Sequence, residues 1–248
     1  MIAKRMLIAI LIVGLSFSGN ASAAKPVTDI PNFGSIKDVR SKKKAFFDFM
    51  RPIVQAENSR LLQVREHLIA IKQGLEQPDH RSSAEDEAYL RRTADEYGVE
   101  FPDMRDSKSW SRLMARVDTV PLRLVLAQSA NESSWGTSRF ARKGRNFFGQ
   151  WCFKKGCGLV PLRRNKGQRH EVRAFSSVNA SVAAYLKNIN TGRVYAGLRK
   201  LRSQLRKKEE PVTAHQLAGG LSHYSERGLA YVKEIRAMIR VNYELMTG

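Results

Sequence analysis

With 248 residues, 42% of them apolar, the chain can bury a core for one large domain or two small ones. Its 43 Lys and Arg against 23 Asp and Glu leave a formal charge of +20, which points to a polyanionic partner. Nucleic acid is set aside because aromatics are not interleaved in the basic runs, and a metal site because only two cysteines occur, with no histidine near them at zinc-ligand spacing.

Lys4 and Arg5, the apolar run Met6 to Leu15 and the small-residue triplet Ala21-Ser22-Ala23 read as a signal peptide over residues 1–23. The expected destination is the periplasm, with no membrane span left after cleavage. Residues 24–44, with Pro26, Pro31 and Gly34, read as an extended, partly ordered lead-in. Leu61, Val64, Leu68 and Ile71 then repeat at helical spacing until Gly74 and Pro78, and Pro52 starts or kinks the stretch before them. A second helix runs from Ala84 to Tyr97, with Glu85, Asp86 and Glu87 in its first turn and Gly98 as its stop. Trp110, Leu113, Met114 and Val117 mark a third.

Val120 to Gly136 is the most informative stretch. Thr119 is expected as N-cap and Pro121 at the first helical position. Leu122, Leu124, Val125, Leu126, Ala127 and Ala130 place apolar groups on nearly every side, the pattern of a buried helix. Glu132 falls near its end, before Gly136. There the helix dipole and burial both disfavour a negative charge, and Trp135 can add an apolar wall. These are the conditions under which a carboxylic acid keeps its proton near neutral pH. The alternative leaves Glu132 just beyond the helix, exposed or paired with Arg139 or Arg142.

Past Gly136 the pattern changes. Asn146 to Trp151, Leu159 to Leu162 and Glu171 to Phe175 are short apolar or alternating runs that predict a two- or three-stranded β region. In an exported chain Cys152 and Cys157 suggest a small disulfide loop at one of its turns. Helices resume after a Ser177 cap, with Val182, Tyr185, Leu186 and Ile189 on one stripe. Leu198, Leu201 and Leu205 form the next, with Arg199, Lys200, Arg202, Arg206, Lys207 and Lys208 mostly outside it. Thr213 caps a short helix ending at Gly219-Gly220, and a last helix carries Tyr231, Ile235, Met238, Ile239 and Leu245. The class is mostly α with a small β lobe.

Three runs in this order, Ala127-Gln-Ser-Ala-Asn-Glu-Ser-Ser-Trp-Gly136, Asn146-Phe-Phe-Gly149 and Phe175-Ser-Ser177 leading into the Tyr185 helix, resemble glycoside hydrolase family 73, the β-N-acetylglucosaminidases of bacterial autolysins. The resemblance implies a lysozyme-like helical body with a β lobe over residues 106–248, preceded by a linker and helical extension over residues 24–105. It implies cleavage of the β-1,4 link after N-acetylglucosamine in peptidoglycan glycan strands, without a cofactor. Glu132 matches the family's catalytic acid, and Tyr224 and Tyr231 fall where the family carries active-site tyrosines; Tyr231 also fits the core stripe of the last helix.

The second catalytic group stays open. Glu171, the only acid between Gly136 and Asn190, is one candidate, although it could equally be a strand-end residue paired with Arg173. Otherwise the substrate's own acetamido group serves as nucleophile. Trp135 and Phe148 are stacking walls for sugars or core residues. Gln128 and Asn146 bind the acetamido group, hold Glu132 or play a structural part, and Tyr185 completes the expected binding set. A competing reading keeps the fold without the activity: an exported wall-binding protein using the basic helix around Leu198 to Lys208 for anionic envelope polymers.

Overall fold

The computed structural model describes residues 25–77, 82–164, 167–224 and 226–247. The expected signal peptide therefore lies outside the described residues. The architecture is mostly helical, with one small antiparallel sheet.

The long helix α1 (Val39–Leu75) begins at Asp38, whose carboxylate accepts from the Ser41 amide at 2.8 Å. Phe46, Phe47, Met50, Ile53, Val54, Leu61 and Leu68 recur three, four or seven residues apart and are buried. Each aromatic or aliphatic side chain so placed contributes about 1.5–3 kcal/mol. Pro52 lies inside α1 and does not end it. The buried residues on both sides of Pro52 dock on α4, α6 and α10, and this packing outweighs the lost hydrogen bond. The lead-in is also more ordered than its composition suggests. The Val27 amide donates to Asn179 Oδ1 at 2.8 Å, the Val178 amide donates to the Val27 carbonyl at 2.8 Å, and Phe33 is buried.

α2 (Ala84–Glu96) and α3 (Ser107–Arg116) follow, capped by Ser83 and Asp106. α4 (Leu122–Ser133) runs through the middle, and every residue from Leu124 to Ala130 is buried. Its start differs from expectation: Pro121 is the N-cap, and Thr119 makes no cap bond to it. α5 (Arg139–Gly144) leads into the β lobe, where β1 (Trp151–Cys152), β2 (Gly158–Leu159) and β3 (Glu171–Arg173) pair antiparallel in the order β1-β3-β2. Cys152 and Cys157 are joined by the expected disulfide. A Cβ on Gly158 would stand 2.0 Å from the Val172 carbonyl oxygen, so only glycine lets β2 approach β3 this closely.

α6 (Val178–Thr191), α7 (Ala196–Lys207) and α8 (Ala214–Ala218) complete the wall around α4, with Ser177 and Thr213 as side-chain caps. The expected last helix is two, α9 (Leu229–Val241) and α10 (Tyr243–Thr247), divided at Asn242.

Arginines tie these helix ends together. Arg116 Nη1 donates to the Tyr97 and Gly98 carbonyls after α2, and Arg65 Nη1 to Met114 and Val117 at the end of α3. Arg199 Nη1 donates to Ile189 and Gly192 at the end of α6. Arg202, fully buried, donates to Ala115, Thr119 and Asn190. Arg199 and Arg202 were expected outside the α7 stripe. They lie inside because the unpaired terminal carbonyls of α3 and α6 need cationic donors.

Candidate active site

Glu132 sits on the last turn of α4, partly buried. The turn that follows is backbone-strained: Ser134, Trp135 and Gly136 all have positive φ, at 52°, 58° and 74°. Left-handed non-glycine residues cost about 1–2 kcal/mol each and persist only where the surroundings fix them. Here the Trp135 amide donates to Ala130 and the Gly136 amide to Ser133 Oγ, at 2.9 and 2.8 Å. The Trp135 ring packs edge-on against Phe46 and Phe47 of α1, with centroids 5.8 and 5.4 Å away, and Lys43 Nζ lies 5.1 Å from its centroid. Trp135 is thus a clamp between α1 and the Glu132 turn.

A directed chain of hydrogen bonds ends on Glu132. The Tyr185 hydroxyl donates to Gln128 Oε1, Gln128 Nε2 donates to Tyr231 Oη at 3.0 Å, and the Tyr231 hydroxyl donates to Glu132 Oε1 at 2.8 Å. Tyr185 fixes the amide orientation of Gln128. The amide in turn occupies a lone pair of Tyr231, so the Tyr231 proton is aimed at the carboxyl. Gln128 therefore holds Glu132 through Tyr231 instead of touching it. Burial raises the Glu132 pKa above the usual carboxylate range, and the hydrogen bond from Tyr231, helped by the nearby polar groups of Asn131 and Tyr224, opposes that rise. Burial raises the pKa of Tyr185, Tyr224 and Tyr231 as well, so all three remain proton donors across the ordinary pH range.

Tyr224 stacks on Tyr231, with centroids 4.9 Å apart, and its hydroxyl donates to the Phe148 carbonyl at 3.3 Å. Phe148 is buried and stacks on Tyr185 at 3.9 Å, so its ring supports the site from behind. Asn146 shapes the same loop. Its Nδ2 donates to the Gln150 and Arg173 carbonyls, and its Oδ1 accepts from the Phe148 and Gln150 amides. The loop places Gly149 over Glu132, where a Cβ would stand 3.7 Å from Oε2. Sequence reasoning missed Gly149 as a site position, although it closes the quoted Asn-Phe-Phe-Gly run.

Glu171 hydrogen-bonds outside this group. Its side chain is buried on β3, and its two oxygens accept from the Gly156 and Gly158 amides at 3.0 and 2.8 Å. Those amides hold its pKa below the usual range, so this carboxylate fastens the disulfide loop. On the lobe surface Trp151 is exposed and stacks on His170 with centroids 4.0 Å apart.

A family model described as glucosaminidase, mannosyl-glycoprotein endo-beta-N-acetylglucosaminidase, matches residues 107–244, from the first turn of α3 into α10. Over 231 residues the chain is 33% identical to Protein bax of Escherichia coli (strain K12), an alignment covering 93% of this chain and 79% of that protein. No solved structure matches.

Proposed function

Because the chain belongs to the glucosaminidase family of glycoside hydrolases, we propose that it is an endo-β-N-acetylglucosaminidase acting on peptidoglycan, with Glu132 as its general acid. The observation that carries this reading is the chain Tyr185, Gln128, Tyr231, Glu132, which ends on a carboxyl whose burial favours the protonated form.

In the proposed mechanism Glu132 gives its proton to the glycosidic oxygen as the bond to the anomeric carbon stretches toward an oxocarbenium-like state. The carboxylate left behind keeps the Tyr231 hydrogen bond, which is stronger to an ionised acceptor than to a neutral one. The commitment of Glu171 to two amides favours the substrate's acetamido oxygen as the group that meets the anomeric carbon, with the Tyr224 hydroxyl as its positioning donor once it turns from the Phe148 carbonyl, 3.3 Å away, to the substrate. Water then opens the resulting ring and Glu132 recovers a proton. The disulfide and the wall-directed substrate class support an exported, periplasmic location.

The test is digestion of purified peptidoglycan by the wild-type chain and by Glu132→Gln. The expected loss is about 10²–10⁴-fold, the usual contribution of a general acid. New reducing ends should be N-acetylglucosamine. Equal digestion by both proteins refutes the acid assignment, and muramic acid ends refute the bond assignment.

A further inference from the structure

Beyond the end of α4 remote from Glu132, about 15 Å along the helix, Asp118 borders a groove of about 780 Å3 that α1, α3 and α7 enclose. α7 lines it with Lys200, Ser203, Gln204 and Lys207, which at spacings of three, four and seven share one helix face. α1 contributes Arg65, Ile69, Lys72, Gln73 and Glu76, again one face. α3 supplies Trp110, Met114 and Ala115 as a largely apolar floor, with Ser111 beside them.

Five cations and two carboxylates line the groove, and both carboxylates are already engaged. Glu76 pairs with Lys72 at 2.7 Å. Asp118, buried, faces Arg206 at 2.8 Å, Arg202 at 3.5 Å and Arg65 at 3.7 Å. One carboxylate among three guanidiniums leaves an uncompensated positive field, which apolar walls focus into the groove. Lys200 and Lys207 are exposed and have no ion-pair partner among the described residues.

We propose that this groove binds an acidic peptide segment, with its carboxylates on Lys200 and Lys207 and its apolar side chains on Ile69 and Met114. A bare phosphate would need only the cations. The apolar floor and the neutral donors and acceptors of Gln73, Ser111, Ser203 and Gln204 match a ligand with amides and aliphatic groups as well. The spacing is specific. Seven residues of α7 separate the two lysines by about 10.5 Å, and a polyproline II strand brings residues i and i+3 to the same side about 9.3 Å apart. The preferred sequence is therefore Glu-x-x-Glu. This binding is independent of the glycosidase reading, since Glu132 takes no part in it.

The test is calorimetric titration of the purified chain at low ionic strength with the capped peptide Ala-Glu-Leu-Pro-Glu-Ala. One-to-one binding is expected. It should weaken at least tenfold in the double variant Lys200→Glu with Lys207→Glu, and equally in Ser203→Trp, which fills the groove. Unchanged melting curves would verify that both variants are folded; if either is not, Lys200→Gln with Lys207→Gln gives the same reading, with the same tenfold loss expected. The proposal is overturned by no binding at millimolar peptide, by equal binding of the Gln-for-Glu peptide or of inorganic phosphate, or by folded variants that bind like wild type.

Discussion

Replacing Tyr231 by Phe removes a single oxygen from the hydrogen-bond chain and has two separable consequences. The hydroxyl donates to Glu132 Oε1 at 2.8 Å and stabilises the ionised carboxylate, so it lowers the Glu132 pKa against the burial that raises it. Without it the protonated form gains ground. A hydrogen bond to a charged group contributes about 1.5–3 kcal/mol, and at about 1.4 kcal/mol per pH unit the alkaline limb of kcat/KM should move up by about one to two units. The expected shift lies at the lower end, because Asn131 and Tyr224 also hold the Glu132 pKa down. The second consequence is structural: Gln128 Nε2, buried, loses its acceptor, which costs about 1–3 kcal/mol of stability. The assay is the release of reducing ends from purified peptidoglycan across pH, with urea unfolding alongside. An alkaline limb that stays put or moves to lower pH would refute the assignment of Glu132 as an acid tuned by Tyr231.

Three further outcomes are expected. Cys152→Ser opens a loop with four intervening residues and should cost about 2 kcal/mol by chain entropy, read as a lower midpoint in urea. Glu171 has a lowered pKa in the folded chain, so its stabilising effect is present above the unfolded carboxylate range and fades as pH falls through its lower folded pKa; acid unfolding followed by circular dichroism should lose this component in Glu171→Gln. Gly136→Ala would force a Cβ to within 2.6 Å of the Phe33 ring at a φ of 74°. Overpacking and left-handed strain together should cost about 2–4 kcal/mol, measured as a drop in melting temperature.

The readable parts of the fold are those whose chemistry is local. α4 could be traced because a helix apolar on every side has only one place to go, and Ser177 and Thr213 cap the helices that follow them because short oxygen side chains satisfy free amides wherever they stand. The partly buried position of Glu132 near the end of that helix was legible for the same reason. Trp135 stayed open between sugar wall and core, because its packing partners are Phe46 and Phe47, about ninety residues earlier on a helix whose docking no local spacing reveals. Glu171 and Asn146 were ambiguous because both bind backbone amides and carbonyls brought close only by the folded lobe. Arg199 and Arg202 were placed outside the helix stripe because a polar residue normally faces water, and only the neighbouring helix ends explain their burial.

Those arginines change what a charge tally means. Counting Lys and Arg from the chain treats each as a handle for an outside polymer. Arg65, Arg116, Arg199 and Arg202 instead serve as mortar, fixed to main-chain oxygens where one helix meets another. Binding to any polyanion should therefore respond to added salt less steeply than the raw tally implies. Lysine in place of Arg202 would keep the tally and weaken the masonry, because a point charge cannot reproduce the planar fork whose two Nη groups reach the Thr119 and Ala115 carbonyls at once.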